Sequence, residues 1–304
     1  MSTSRFRRAQ AWWRWLDARA WRAVRRYFVR AVITAALLVL PLALWGLWIE
    51  PDQLTVKTTP LAIPNWPTGF APLKVVALSD LHVGAPHITL DKLRTVVQRT
   101  NEQKPDLIVL LGDYVIQGII GGRFTEPGVF VEVLKDLQAP LGVYAVLGNH
   151  DWWYNDQEVT RAFERVGIRM LTNEAVQLER NGSTLWLAGL GDLFSHKDDL
   201  EKTMRSVTTA DPILAITHTP DIFLQLPPQF ILTLAGHTHG GQVNLPLLGR
   251  RVVPSDYGEK YAIGFVAEGE KRLFVTPGIG TSIFPVRFRV PPEISALMIR
   301  GEGR

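Results

Sequence analysis

Residues 143–151 read Val-Tyr-Ala-Val-Leu-Gly-Asn-His-Asp: a short apolar run, a Gly break, and then three polar side chains able to hold cations or move protons. The same grammar occurs four more times. Val75–Leu78 runs into Ser79-Asp80-Leu81-His82, and Leu107–Leu111 into Gly112-Asp113. Ile213–Ile216 runs into Thr217-His218, and Ile231–Ala235 into Gly236-His237-Thr238-His239. Runs of Val, Ile and Leu this short, closed by Gly, Asn or Asp, read as strands buried on both faces. Helix-like segments separate the early ones, which predicts a parallel sheet in that half. Parallel strands share one C-terminal edge, where open α/β sheets place their ligands.

The polar tips are chemically consistent. Five of the seven His of the chain (His82, His150, His218, His237 and His239) fall inside them. The i, i+2 pairs Asp80/His82 and His237/His239 can point the same way just past a strand. Carboxylate, imidazole and amide donors together suit borderline divalent ions such as Mn, Fe, Zn or Co. A lone Asp-x-His or Gly-Asp is ordinarily a cap or a hydrogen-bonded core group. Five such stretches in order, each ending a predicted strand, form a constellation.

The ordered set D-x-H, G-D, G-N-H-D, H, G-H-T-H resembles the calcineurin-like metallophosphoesterase superfamily over residues 73–300. Gly236-His-Thr-His-Gly-Gly-Gln-Val, Tyr257-Gly, Pro277-Gly-Ile-Gly-Thr-Ser and Pro291-Pro-Glu resemble its bacterial membrane-associated branch. The resemblance implies a layered sandwich of two mixed β-sheets flanked by helices, and two divalent metal ions. Asp80, His82 and His239 would bind one ion, Asn149, His218 and His237 the other, and Asp113 would bridge them. His150 would stand beside the leaving group. Two cations about 3.5–4 Å apart can share a hydroxide for in-line attack on phosphorus. His150 can protonate the departing alkoxide or stabilise transition-state charge.

Departures narrow the substrate. Ser/Thr protein phosphatases of the superfamily carry Asp and Arg three and four places after the bridging Asp, and Glu after G-N-H. Here those places hold Ile116, Gln117 and Asp151. Without that Arg clamp, a phosphodiester or pyrophosphate is the better expectation. A lipid-linked substrate fits the membrane branch. One alternative is a cytoplasmic-facing UDP-2,3-diacylglucosamine pyrophosphatase of lipid A synthesis, and a rival of another class is a non-catalytic membrane-anchored binding module. The module would lack ligands, whereas every expected position here is filled.

Charge is strongly divided. Residues 1–30 hold nine Arg against one Asp, a net of +8, leaving 24 Lys and Arg against 28 Asp and Glu, a net of −4, in the remainder. The catalytic part therefore offers no basic groove, and no nucleic-acid partner is expected. There is no Cys, hence no disulfide framework. Residues 5–30 mix Arg with Trp12, Trp13, Trp15, Trp21, Tyr27 and Phe28, the composition of a membrane-surface helix. Ala31–Ile49 carries no charge and as a helix spans about 28 Å, one hydrocarbon core. Between them, Arg25-Arg26-Tyr27-Phe28-Val29-Arg30 resembles a twin-arginine export signal. Leu47-Trp48-Ile49-Glu50 is a poor cleavage site. We therefore expect an uncleaved single-pass anchor in a bacterial inner membrane, its Arg end cytoplasmic and its catalytic domain on the periplasmic side.

Domains follow: 1–30 the basic, aromatic segment, 31–49 the anchor, 50–72 a linker with five Pro and one edge strand near Leu54–Thr58, and 73–304 the catalytic domain. Helices are expected near Thr89–Gln103, Gly128–Leu137, Gln157–Val166 and Lys197–Val207. The substrate walls are expected in the Gly118–Gly122 loop, in Trp152 and Trp153, and in Arg287.

Overall fold

Along β2 (Leu73–Leu78), Val75 and Ala77 point into one apolar cluster, Val76 and Leu78 into another, and all four are fully buried. That two-sided burial places the strand inside a layered molecule. The computed structural model describes residues 3–303, with side chains from Ala20 on; the expectations for Trp12, Trp13 and Trp15 lie outside those side chains.

One sheet runs β1 (Thr55–Ile63), β14 (Glu293–Gly301), β2, β3 (Leu107–Leu110), β4 (Val143–Ala145), β5 (Arg169–Met170). β2 to β5 are mutually parallel, and β14 is antiparallel to β2. The second sheet runs β12 (Gly264–Glu268), β13 (Lys271–Val275), β9 (Phe230–Ala235), β8 (Ile213–Ile216), β7 (Ser183–Gly189), β6 (Glu174–Arg180). Its inner four strands are parallel, with an antiparallel strand at each edge. Val75, Ala77, Leu107 and Val109 meet Leu185, Leu187, Leu214 and Leu232 between the sheets. Helices α2 (Leu90–Glu102), α3 (Pro127–Leu134) and α4 (Asn149–Arg165) cover the outer face of the first sheet through Val96, Phe130 and Phe163. The short α5 (Leu200–Arg205) packs outside the second. A small hairpin, β10 (Asn244–Leu245) and β11 (Gly249–Arg250), follows β9. The expected architecture of two mixed sheets flanked by helices is the observed one.

Three expectations are corrected. The helix after β4 begins at Asn149, not near Gln157, with one break in helical geometry at Asn155. The Pro-rich stretch is no free linker: β1 pairs along its whole length with β14, and Leu61, Ile63, Trp66 and Phe70 are core residues. Pro60 is tolerated because β1 is an edge strand with one ladder to serve. The compact unit accordingly begins at Leu47, not at 73, and the preceding unit ends at Gly46. In that first unit the basic and apolar segments share one helix, α1 (Thr3–Leu44), with Pro41 inside it. Ala20–Asp52 is long and apolar enough to cross a membrane.

Candidate metal centre

Because β2, β3 and β4 are parallel and β8 and β9 run side by side, all five polar tips leave their strands at one edge of the sandwich. Their backbones are unusual. Asp80 (φ 53°), His82 (41°), Asp113 (57°), His237 (68°) and His239 (50°) all occupy the left-handed region. Such geometry costs about 1–3 kcal/mol per non-Gly residue and persists where surrounding structure imposes it. Close approach requires Gly as a neighbour: a Cβ on Gly148 would lie 2.3 Å from Asp113 Oδ1, and one on Gly278 would lie 2.7 Å from Asp80 Cβ.

The ring nitrogens are oriented by backbone carbonyls. His82 Nδ1 lies 3.1 Å from Val115 O, and His218 Nδ1 lies 2.7 Å from Leu111 O. A carbonyl only accepts, so Nδ1 carries the proton and each Nε2 presents a lone pair inward. His82 Nε2 then faces His239 Nε2 at 3.4 Å and Asp113 Oδ2 at 3.6 Å, while His239 Nε2 faces Asp80 Oδ1 at 3.3 Å. His218 Nε2 faces Asp113 Oδ2 at 3.2 Å, Asn149 Oδ1 at 3.2 Å and His237 Nδ1 at 3.1 Å. The geometry thus brings together two acceptor clusters with Asp113 Oδ2 common to both. Asp80 Oδ1, His237 Nε2 and His239 Nδ1 are buried without a hydrogen-bond partner. Convergent lone pairs repel unless a proton or a cation lies among them, so the donor set fits divalent metal.

The electrostatics agree. Burial pulls His82 and His237 down to about 4 and His239 well below the ordinary imidazole range. Burial also disfavours charge on His218, but the Asp113 carboxylate overrides it and raises the group to about 10. Burial pushes Asp80 up to about 6. Asp113 is held well below the carboxylate range despite its burial, because the His218, His150 and His82 imidazoles surround it. In the metal-free protein a proton on His218 thus stands where a cation fits.

Asp151 supports this arrangement. Its Oδ2 accepts from the backbone N–H of Asp113 (2.8 Å) and Gly148 (2.9 Å), and its Oδ1 from Tyr114 (2.9 Å) and Val115 (3.2 Å). His150 N–H, in the first turn of α4, donates to Asp113 Oδ1 at 2.9 Å, and its ring Nε2 lies 4.0 Å from Asp113 Oδ2.

The expected substrate contacts divide. Trp153 is half exposed, with its ring 5.0 Å from that of His150. Trp152 is not at the mouth: it packs on the helix-side core with a buried Nε1, under Lys197 Nζ at 5.3 Å. Adjacent residues on a helix point about 100° apart, so the two Trp cannot share a role. Arg287 is corrected outright. It is fully buried; Nε and Nη2 donate to Gly280 O (3.0 and 2.6 Å), Nη1 to Val290 O (2.9 Å) and Nη2 to Pro277 O (2.9 Å). It braces the loop behind Asp80, with no exposed surface left to offer a substrate. His196 is exposed and outside the centre.

Phe194 was not anticipated. It is 52% exposed, with its ring 5.1 Å from His237 and 6.1 Å from Trp153, so an aromatic lip runs from His150 to His237. Its loop is rigidly held: Asp192 accepts from Ser195 N and the Thr219 hydroxyl, and Asn173 binds Gly191 N, Asp199 N and Lys197 O. The available signal was one Phe, next to Leu193, in the loop run Gly191-Asp-Leu-Phe-Ser-His-Lys.

These tips fall within known sequence territory. A family model for calcineurin-like phosphoesterases matches residues 73–241. The uncharacterized metallophosphoesterase YkuE of Bacillus subtilis is 31% identical over 255 residues, 83% of this chain and 86% of that one. Phosphodiesterase YaeI of Escherichia coli is 31% identical over 231 residues, 75% of this chain and 82% of that one. A Danio rerio protein named transmembrane protein with metallophosphoesterase domain is 29% identical over 287 residues; the match takes in 89% of this chain and 63% of that longer one. The matched region carries every one of the converging side chains except the supporting loops beyond β10, and on that extent of agreement the chain belongs to the calcineurin-like phosphoesterases and is a metal-dependent phosphoester hydrolase.

Proposed function

We propose that this protein is a membrane-anchored, dinuclear-metal phosphodiesterase acting on an apolar, lipid-linked phosphodiester or pyrophosphate. The observation that carries the dinuclear reading is Asp113 Oδ2, common to two separate acceptor clusters. In this reading Asp80, His82 and His239 hold one ion, Asn149, His218 and His237 the other, and Asp113 both. Bound there, the ions supply Lewis acidity and an activated water. The protein's own residues do the rest. His150, whose Nε2 stands 4.0 Å from Asp113 Oδ2 and whose ring adjoins Trp153, is left in this reading to deliver a proton to the departing oxygen. The first turn of α4 directs the His150 N–H at Asp113 Oδ1 and so holds the shared carboxylate in place. Trp153 and Phe194 offer an apolar surface to the leaving group.

Anchoring is supported by the span Ala20–Asp52 and by the printed name of the Danio rerio relative. The Arg-rich start and the twin-arginine-like Arg25-Arg26 support a catalytic domain outside a bacterial inner membrane, with the export machinery as a transient partner. Hydrolysis of bis-p-nitrophenyl phosphate with added Mn tests the chemistry. Activity that depends on Mn and disappears in Asp113→Asn supports it; turnover undiminished in that variant overturns it.

A further inference from the structure

The large apolar side chains that the second unit leaves exposed gather mostly on loops following strand C-termini, the end at which the metal centre opens. Three of these loops share a composition. The first exposes Ile120 and Phe124 with Arg123 between them. The β10–β11 turn and its exit expose Leu247, Leu248 and Val252 with Arg251. The third exposes Ile283 and Phe284 with Arg289 close behind. Ile120, Ile283 and Phe284 are 57–59% exposed and Leu247 is wholly so. Arg123, Arg251 and Arg289 make no ion pair among the described residues, in a unit whose charge is otherwise net acidic.

The loops are fixed relative to the centre. Ile120 N–H donates to Ile283 O at 3.0 Å. Gln242, three residues past His239, donates to Ser282 O at 3.1 Å and accepts from Ser282 N–H. Arg250 Nε donates to Gly240 O at 2.8 Å. Rigid loops holding Leu, Ile and Phe in water gain nothing for folding; contiguous apolar surface of this kind marks an interaction site. The chain itself names the partner. Leu47 and Trp48, the first residues of this unit, line one cleft with Pro86, His87 and Pro285, which lies within two residues of Ile283 and Phe284 in the chain. The first residues of this unit are therefore apolar themselves and lie at the same end of it. Apolar side chains interleaved with unpaired Arg match the acyl boundary and the anionic headgroups of a bilayer.

We propose that these three loops dock on an anionic phospholipid bilayer, so that the metal centre opens against lipid headgroups and draws its phosphodiester from the membrane surface. This rests on the anchored reading above and adds which face meets the lipid. The chain has no Cys, so one introduced thiol labels one site. Full-length Phe284→Cys and Leu247→Cys, each carrying an environment-sensitive NBD dye, are reconstituted into phosphatidylglycerol–phosphatidylcholine vesicles. Glu179→Cys, exposed on β6 at the opposite end of its sheet, is the control. The expected result is a blue shift and at least about twofold quenching by doxyl-labelled lipid at 284 and 247, with neither at 179. Carbonate-washed flotation in the same samples separates the two claims. A chain that floats while 284 and 247 behave like 179 overturns the docking and spares the anchor. A chain that does not float overturns both.

Discussion

The Asp151 carboxylate accepts the backbone N–H of Asp113 at 2.8 Å, tying the first turn of α4 to the residue on which both acceptor clusters converge. Four backbone donors end on this one side chain, which is fully buried. Its acidity is weakened to about 7, first by burial and then by the neighbouring Asp113 charge. Asp151→Asn sets an NH2 group against N–H donors. We expect a loss of about 2–4 kcal/mol in metal-free stability, read by denaturant unfolding, together with weaker Mn binding. Unchanged stability would remove Asp151 from the support of the site.

Arg287 yields a contrasting expectation. Burial pulls its pKa down to about 10, yet it makes four hydrogen bonds to three backbone carbonyls. Arg287→Ala leaves those carbonyls unpaired and should cost about 3–5 kcal/mol in unfolding free energy. KM of the surviving folded fraction should stay within about twofold of the parent, since the side chain has no exposed surface to offer a substrate. A selective rise in KM without lost stability would restore Arg287 as a substrate contact.

His218 gives the pH dependence. Its folded value of about 10 lies above the ordinary 6.5, so the stability it lends the metal-free protein is complete below pH 6.5 and is lost as pH rises through 10. Metal replaces that proton. At pH 8, His82, His237 and His239 are already neutral, so loading Mn should displace one proton per chain from His218, in addition to any that a shared water gives up. An indicator titration in weak buffer measures it; release of none contradicts the assignment.

The aromatic lip predicts a split in kinetics. Phe194→Ala and Trp153→Ala should each raise KM for a diester with an aryl or long-chain leaving group by about threefold to tenfold, leaving methyl esters and kcat nearly unaltered. Equal effects on all substrates would assign the two rings to packing alone.

Much of this was legible before any coordinates, for a physical reason. Parallel buried strands must be apolar throughout, so polar residues such as Asp113 or His218 at their ends stand out, and one shared edge follows from topology. What stayed illegible depends on contacts between distant segments. Arg287 reads as an exposed strand residue until Pro277 and Gly280 are seen to wrap it. The difference between Trp152 and Trp153 needs the helix phase, which is hidden while α4 is expected to begin eight residues late. Five Pro made 50–72 look like a linker, although β1 satisfies its single ladder against β14 at the far end of the chain. Phe194 could not be placed, because its loop is anchored from Asn173 and Thr219.

The central claim is that Asp113 joins two cation sites, and metal-bound crystallography addresses it most directly. Crystals grown with Mn, measured at the Mn absorption edge, should give two anomalous peaks about 3.5–4 Å apart with Asp113 in contact with both. A single peak, or two peaks with Asp113 contacting neither, would contradict the account.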